Sequence, residues 1–132
     1  MTFDQTFFEK VKTDYTTKSV YYGSAEGATG QYHVMYKIDD LERPIVLCDS
    51  QGESGRALYQ ISTYGGDKAG ALMDVAEVLK DAVATIKGEI GTTTKFRIYD
   101  NVTTGVRLIS AGFNEQSIWG VLFETEIAWE KV

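Results

Sequence analysis

The sequence has almost none of the residues that most enzymes and metal sites depend on. Its 132 residues include one histidine, His33, and one cysteine, Cys48. A lone cysteine forms no disulfide within the chain, so the fold needs no oxidising compartment. Cys48 ends the apolar run 45–48, and we expect a small buried hydrophobe there, with a reactive thiolate as the alternative. One His and one Cys do not make a zinc site, which needs three or four clustered ligands.

Positive charge and long apolar runs are also scarce. The chain has 13 Lys and Arg against 19 Asp and Glu, a net charge of −6. Because binding to nucleic acid needs a basic surface, we expect no sequence-specific nucleic-acid partner. No run approaches the roughly 18 apolar residues of a membrane span. Residues 1–5 lack the basic and apolar segments of a signal peptide, so we expect no membrane partner.

What the chain does have is a clear hydrophobic periodicity. Apolar residues recur every three or four positions over 3–16 and over 67–87, which predicts two helices. Thr2 and Gln5 have the spacing of a capping box at the start of the first helix. For the long helix, Asp67 is the predicted N-cap and Gly88 the predicted left-handed residue after its end.

A two-residue alternation predicts the strands and, with them, the fold class. Within 32–38, Tyr32 shares a face with Val34, Tyr36 and Ile38, which leaves His33 on the polar face, exposed to solvent or in an interface. A turn is predicted at 100–101. The chain is therefore predicted to be a single α+β domain, 1–132, with a mixed, mainly antiparallel sheet packed against an N-terminal helix and one long central helix. The predicted strands are 32–38, 45–48 (starting after Pro44), 56–64, 95–99, 106–109 and 116–130.

None of the motifs that suggest catalysis has the context it needs. The glycine-rich segment 23–30 is followed by Gln31, not by the Lys and Ser or Thr of a phosphate-binding loop, so we interpret it as a mobile loop. Residues 52–55 precede a strand and lack the spacing of a nucleophile elbow. A carboxylate site for Mg²⁺ or Ca²⁺ at Asp39, Asp40 and Glu42 stays open beside the simpler interpretation of a solvated turn. We expect no enzyme, no catalytic residue and no cofactor.

The last strand places three glutamates, Glu124, Glu126 and Glu130, opposite its apolar face. One interpretation is a solvated strand face. The other is an interface, or the lining of a passage that repels DNA, since like charges arranged in a ring repel a polyanion.

The order of elements resembles the tail terminator proteins of long-tailed bacteriophages, also called tail-completion or tail-to-head joining proteins. The resemblance covers nearly the whole chain. It rests on the segment 32–36 (Tyr-His-Val-Met-Tyr), on 59–64 (Tyr-Gln-Ile-Ser-Thr-Tyr) before a helix with Ala69, Ala71 and Ala76, and on the terminal strand 127–130 (Ile-Ala-Trp-Glu). None of these is a signature motif.

The resemblance implies a structural virion protein at the head–tail junction. Such proteins assemble as a ring, typically a hexamer, that caps the tail-tube protein and joins it to the head-connector or stopper protein. The implied location is the tail neck of the virion, and the host cytoplasm during assembly. Loops 23–30 and 49–55 become candidate contacts that order on assembly. The candidate interface residues are Gly23, Glu26, Gly30, Asp49, Glu53, Arg56, Glu124 and Glu126.

A second hypothesis comes from another class of protein. The chain length, an N-terminal helix and a long last strand also suit a small α+β cone of the nuclear-transport-factor-2/ketosteroid-isomerase type, which binds or isomerises an apolar ligand. Such an enzyme needs an Asp base and a Tyr or acid donor aimed into one pocket, and no Asp or Tyr here is distinguished by spacing. The cone also places its helices early, whereas this chain has its long helix in the middle.

Overall fold

The computed structural model describes residues 2–24, 27, 30–41, 54–65, 69–113 and 116–132. Together they form an α+β fold, as predicted, in which two helices pack on one seven-stranded sheet. In chain order the elements are α1 (Phe3–Asp14), β1 (Ser19–Tyr22), β2 (Tyr32–Leu41), β3 (Ser54–Tyr64), α2 (Ala69–Ala84), β4 (Gly88–Ile90), β5 (Phe96–Thr103), β6 (Arg107–Phe113) and β7 (Gln116–Lys131).

The sheet is built around its longest strand, β7. The strand order is β1-β2-β3-β7-β5-β4, and β6 pairs with β7 as well. One edge of β7 pairs with β3, and its other edge pairs with β6 near the start and with β5 near the end. Every pairing is antiparallel except that of β1 with β2. β7 is long because it pairs with two successive strands, β6 and then β5, along the same edge.

Both helices cover the same face of the sheet, which we call the inner face. The ring of Phe3 stacks on Trp129 with centroids 4.6 Å apart, and Phe7 stacks on Tyr59 at 5.2 Å. These contacts place the apolar stripe of α1 over β3 and β7, as its periodicity predicts. On α2, Leu72 and Ala76 pack against Val121 of β7. Each large side chain buried in this way contributes about 2 kcal/mol of gross stabilisation.

The start of α1 has the predicted capping box. The Gln5 backbone N–H donates to the Thr2 hydroxyl at 3.3 Å, and the Gln5 side-chain oxygen accepts from the Thr2 backbone N–H at 3.0 Å. In the first turn, the Asp4 carboxylate accepts from Tyr59 on β3 and from Lys37 on β2, the latter at 3.1 Å. The cap therefore defines the first turn, and Asp4 joins that turn to the sheet.

The predicted faces of β2 are reversed in the structure. His33 and Met35 are both fully buried on the inner face, whereas Ile38 is 44% exposed. Val34 is buried too, on the outer face beside Ser62. Alternation alone does not say which face the helices cover, and here the His33 face meets α1.

The chain also differs from prediction at several element boundaries. Residues 100–101 lie inside β5, and the break between β5 and β6 comes at 104–106 instead. Two strands, β1 and β4, were not predicted, because four and three residues are too short for a period to show. Gly88 has the expected positive φ, 77°, but it opens β4 and is not the residue that ends the helix. The predicted strand 45–48 and the predicted cap Asp67 lie outside the described residues.

Candidate functional site

The β6–β7 hairpin extends past the rest of the sheet. β3 pairs with β7 from Gly120 onward. Within the described residues, 116–119 pair only with β6, where Ser110 is opposite residue 119 and Phe113 is opposite residue 116. We call the hairpin of β6 with 116–122 the ribbon, and its outer part, 110–113 with 116–119, is two-stranded, because 120–122 also pair with β3. A two-stranded ribbon gains little stability by itself in water, so the ribbon is a candidate contact with another chain.

On the side away from β6, β1 is the last of the described strands. In the described part of the chain, β1 pairs with β2 and with no other strand, so its outer edge presents backbone N–H and C=O groups. A groove of about 880 Å³ follows this edge, between α1 and residues 15–22. An open strand edge beside a groove is a typical site for strand addition by a partner.

The walls of the groove combine aromatic and basic side chains. Phe8 of α1 meets Tyr22 of β1 edge to face, with centroids 5.5 Å apart, and Tyr22 is 42% exposed. The Lys12 ammonium lies 5.2 Å from the centre of the Phe8 ring, and Lys18 stands at the start of β1. An apolar extended segment with acidic side chains on a neighbouring element matches this lining. The sequence signal for this site was the β-prone run 19–22 (Ser-Val-Tyr-Tyr), which directly precedes the glycine-rich segment.

Two of the expected contact residues lie at the ends of the glycine-rich segment. The Gly23 amide donates to the Met35 carbonyl at 2.9 Å, so the chain leaves β1 still attached to β2. Gly30 lies against Gly65, where a Cβ built on Gly65 would be 2.0 Å from the Gly30 carbonyl oxygen. Both Gly23 and Gly30 are exposed and have positive φ. Three further expected contacts, Glu26, Asp49 and Glu53, lie outside the described residues.

The other three expected contacts lie together on the outer face of the sheet, opposite the helices. Arg56 pairs with Glu126 at 3.7 Å, and Glu124 pairs with Arg107 at 2.7 Å. Glu130 pairs with Arg97 at 3.3 Å. The neighbouring strands supply an arginine beside each glutamate, so the three glutamates do not form an isolated acidic patch, and their role as an interface or as the lining of a passage stays a prediction. The face alternates in charge, which suits contact with a polar protein surface.

His33 is buried and not at a surface or interface. One ring nitrogen lies 2.8 Å from the Tyr15 hydroxyl and the other lies 2.7 Å from the Thr63 hydroxyl. Burial, with a further contribution from the positive charge of Lys18, lowers the pKa of His33 to about 4, and burial raises the pKa of Tyr15. The imidazole is therefore neutral, and both of its ring nitrogens are hydrogen-bonded inside the core. The sequence holds no signal for this cluster, since it forms only when β2 and β3 pair in register.

The described residues contain little that resembles a reaction centre. Within those ranges, no three His, Cys, Asp or Glu side chains stand close enough to hold a metal ion. The side chains of the suggested carboxylate site, Asp39, Asp40 and Glu42, are outside the described set. Neither helix of the described chain has the length and apolar character needed to cross a bilayer.

Comparisons with known proteins support the fold. No protein-family model matches this chain, and no curated protein matches its sequence. One matching solved structure, whose only name is a sequence identifier, superposes with a TM-score of 0.55 at 12% identity and covers 98% of this chain and 90% of that chain. Because the identity is so low, this likeness shows the fold alone.

Proposed function

We propose that this protein is a structural virion protein that closes into a ring, caps the tail tube of a long-tailed bacteriophage and joins it to the head connector. The proposal begins from the resemblance in the order of elements to tail terminator proteins. The α+β fold is compatible with it. Its partners are further copies of itself, a tail-tube protein and a head-connector or stopper protein.

The observation that carries the proposal is the shape of the sheet at its two sides. A ribbon extends beyond β3 on one side and the β1 edge borders a groove on the other. Two different contact surfaces on opposite sides of one subunit are what a ring requires, because head-to-tail contacts join unlike patches. The charged outer face, with Arg56, Glu124 and Glu126, remains available for a partner above or below the ring.

The cone hypothesis draws no support from the geometry. A ligand-binding cone keeps an open apolar cavity between its sheet and helices. Here that space holds packed aromatic side chains, with Phe3 and Phe96 edge to face at 5.5 Å and Phe96 and Trp129 at 5.4 Å. The observed depressions lie at the surface, along β1 and beside residues 91–94.

Native mass spectrometry across a concentration series, with negative-stain images of the most concentrated sample, tests the ring. We expect one closed stoichiometry, a hexamer, to replace the monomer as the concentration rises. Addition of the purified protein to polymerising tail-tube subunits from the same viral genome should then shorten the tubes and place a ring at one end.

Two results would contradict the proposal. The first is a monomer at every concentration that also leaves tube length unchanged. The second is a monomer or dimer that binds a small apolar ligand with a matching rise in melting temperature, which is the behaviour expected of the cone.

A further inference from the structure

We propose that the subunits of the ring are joined by strand addition, with β6 of one copy pairing antiparallel with β1 of the next. This inference rests on the proposed ring and specifies its contact. The partner of the β1 groove is thus the ribbon of a second copy of this chain. Among the described strands, β1 pairs with β2 alone and β6 pairs with β7 alone, so each leaves one edge toward a neighbouring copy.

The directions of the strands favour this contact. β1 runs parallel to β2, and the three steps from β2 to β3, β3 to β7 and β7 to β6 are each antiparallel. β6 therefore runs opposite to β1 within one subunit. In a ring every copy keeps the same direction relative to the axis, so β6 of one copy meets β1 of its neighbour antiparallel. That arrangement gives the more stable type of ladder.

The side chains at the two edges also match. Tyr22 is 42% exposed and Leu108 is 46% exposed. By register, both belong to the inner face, since Tyr22 is opposite Met35 and Leu108 is opposite Val121, and these two partners are buried. When Tyr22 meets Leu108 across the junction, each covers the apolar surface of the other, and β6 continues along β1 toward Ser19. The helices of both copies then lie on the same side of one continuous sheet.

Charges beside the two edges are complementary. Lys12 and Lys18 line the groove along β1. At the other side, α2 packs beside β6, with Leu72 and Ala76 against Val121. When β6 of one copy joins β1 of its neighbour, α2 of the first copy comes close to the C-terminal end of α1 and to Lys12 and Lys18 of the neighbour. The range 72–81 of α2 carries Asp74, Glu77, Asp81 and Lys80. Lys80 pairs with Glu77 at 3.0 Å and lies 3.8 Å from Asp81, so three acidic residues against one lysine leave this stretch a net charge of −2 toward the lysines of the neighbour.

A disulfide-trapping experiment tests the junction. In a background with Cys48→Ser, the double variant Tyr22→Cys with Leu108→Cys should convert most of the monomer band, under mild oxidation, into a ladder that ends at the ring number and collapses with reductant. Tyr22→Cys with Val102→Cys is the matched control, because Val102 is 54% exposed but by register lies on the outer face. We expect the control to form dimers at most.

A second variant tests the junction in case the double cysteine variant does not fold. Leu108→Asp should abolish rings in native mass spectrometry while its melting temperature stays close to that of the unsubstituted protein. Val102→Asp should keep its rings.

The outcomes separate this inference from the proposed function. Rings without linking above the control, or rings that persist in Leu108→Asp, would overturn the β1–β6 junction and leave the ring intact. A linked ladder from a protein that never closes into rings or caps tubes would support the junction and overturn the terminator function. If the protein shows no linking and forms no rings, both the junction and the proposed function are overturned.

Discussion

The imidazole of His33 lies in the core between two hydroxyl groups, on Tyr15 and Thr63. As the chain's single histidine, it is the natural first candidate for a general base, yet its side chain is fully buried. Burial keeps it neutral, because a charged imidazole loses its hydration there without gaining a carboxylate partner. Because its pKa differs between the folded and the unfolded chain, His33 makes stability depend on pH.

The first residue-scale prediction concerns acid. The folded pKa of His33 is about 4, and the ordinary value in the unfolded chain is about 6.5. Between these values the unfolded chain binds a proton that the folded chain does not, so the free energy of unfolding falls as pH falls. From pH 7 to pH 5 we expect a loss of about 2 kcal/mol, with the full loss reached below pH 4. Urea unfolding at pH 7, 6 and 5 measures it.

His33→Gln is the control for this slope. Above pH 5 most carboxyl groups stay ionised, so the variant should show little change in stability between pH 7 and 5, although it will be less stable throughout. A slope that survives in His33→Gln would show that another group causes it.

At the scale of elements, α2 ends on a side chain from the sheet. The Asn101 amide nitrogen on β5 donates to the carbonyls of Val83 and Ile86, at 2.8 and 3.0 Å. Its amide oxygen accepts from the hydroxyls of Thr103 and Thr125, at 2.6 and 3.1 Å. Carbonyls at the end of a helix need such partners, and Asn101 supplies them while it remains part of a strand.

We therefore expect Asn101→Ala to lower the free energy of unfolding by about 1 to 3 kcal/mol, because the Ile86 carbonyl loses this donor. The Val83 carbonyl keeps the Ile86 amide, and the hydroxyls of Thr103 and Thr125 keep their bond to each other. Chemical denaturation measures the loss. Val102→Ala on the same strand is the control, because this side chain is 54% exposed and its loss should cost less than about 0.5 kcal/mol. Equal effects of the two substitutions would show that Asn101 does not anchor the helix.

At the scale of the whole molecule, the two faces of the sheet differ in what they contact. The inner face holds the helices through aromatic packing, and the outer face carries pairs such as Arg56 with Glu126 and Arg107 with Glu124. Exposed ion pairs contribute little to stability, typically about 0 to 1 kcal/mol. We interpret the outer face as a surface for a partner such as the tail-tube protein.

The prediction at this scale is a separation of stability from binding. The triple variant Arg56→Gln, Glu124→Gln and Glu126→Gln should keep its rings and change the free energy of unfolding by no more than about 1 kcal/mol. Its binding to the tail-tube protein, measured by co-sedimentation with tubes, should weaken. Lys10→Gln with Asp14→Asn is the control, since this exposed pair, at 3.1 Å, lies on α1, which covers the inner face. Loss of folding in the triple variant, or unchanged binding to tubes, would contradict this interpretation.

Periodicity predicted the long elements of the fold well. It identified both helices, the capping box at Thr2, and the buried faces of β3 and β7, where Tyr59 and Phe123 are fully buried. It was wrong at Asn101, whose preference for turns was overridden by its contacts with α2. It was also wrong at His33, because the polar character of a side chain does not show whether the partners that allow its burial are present.

The candidate site was less predictable than the fold. The contacts expected at residues 23, 30, 56, 124 and 126 stay predictions, and the arginine partners of Glu124 and Glu126 come from other strands. The β1 edge and the extended ribbon depend on which strands pair, and how far, across the sheet.

The sequence by itself determined the α+β class and the two helices, because local hydrophobic period and capping act over a few neighbouring residues. From its net charge and its single His and Cys we expect neither a sequence-specific nucleic-acid partner nor a zinc site, and both stay predictions. Only the tertiary structure decided which face of β2 is buried, that Glu124, Glu126 and Glu130 each have an arginine, and that β1 and β6 are edge strands among the described residues. These features depend on contacts between residues far apart in the chain, which local patterns do not contain.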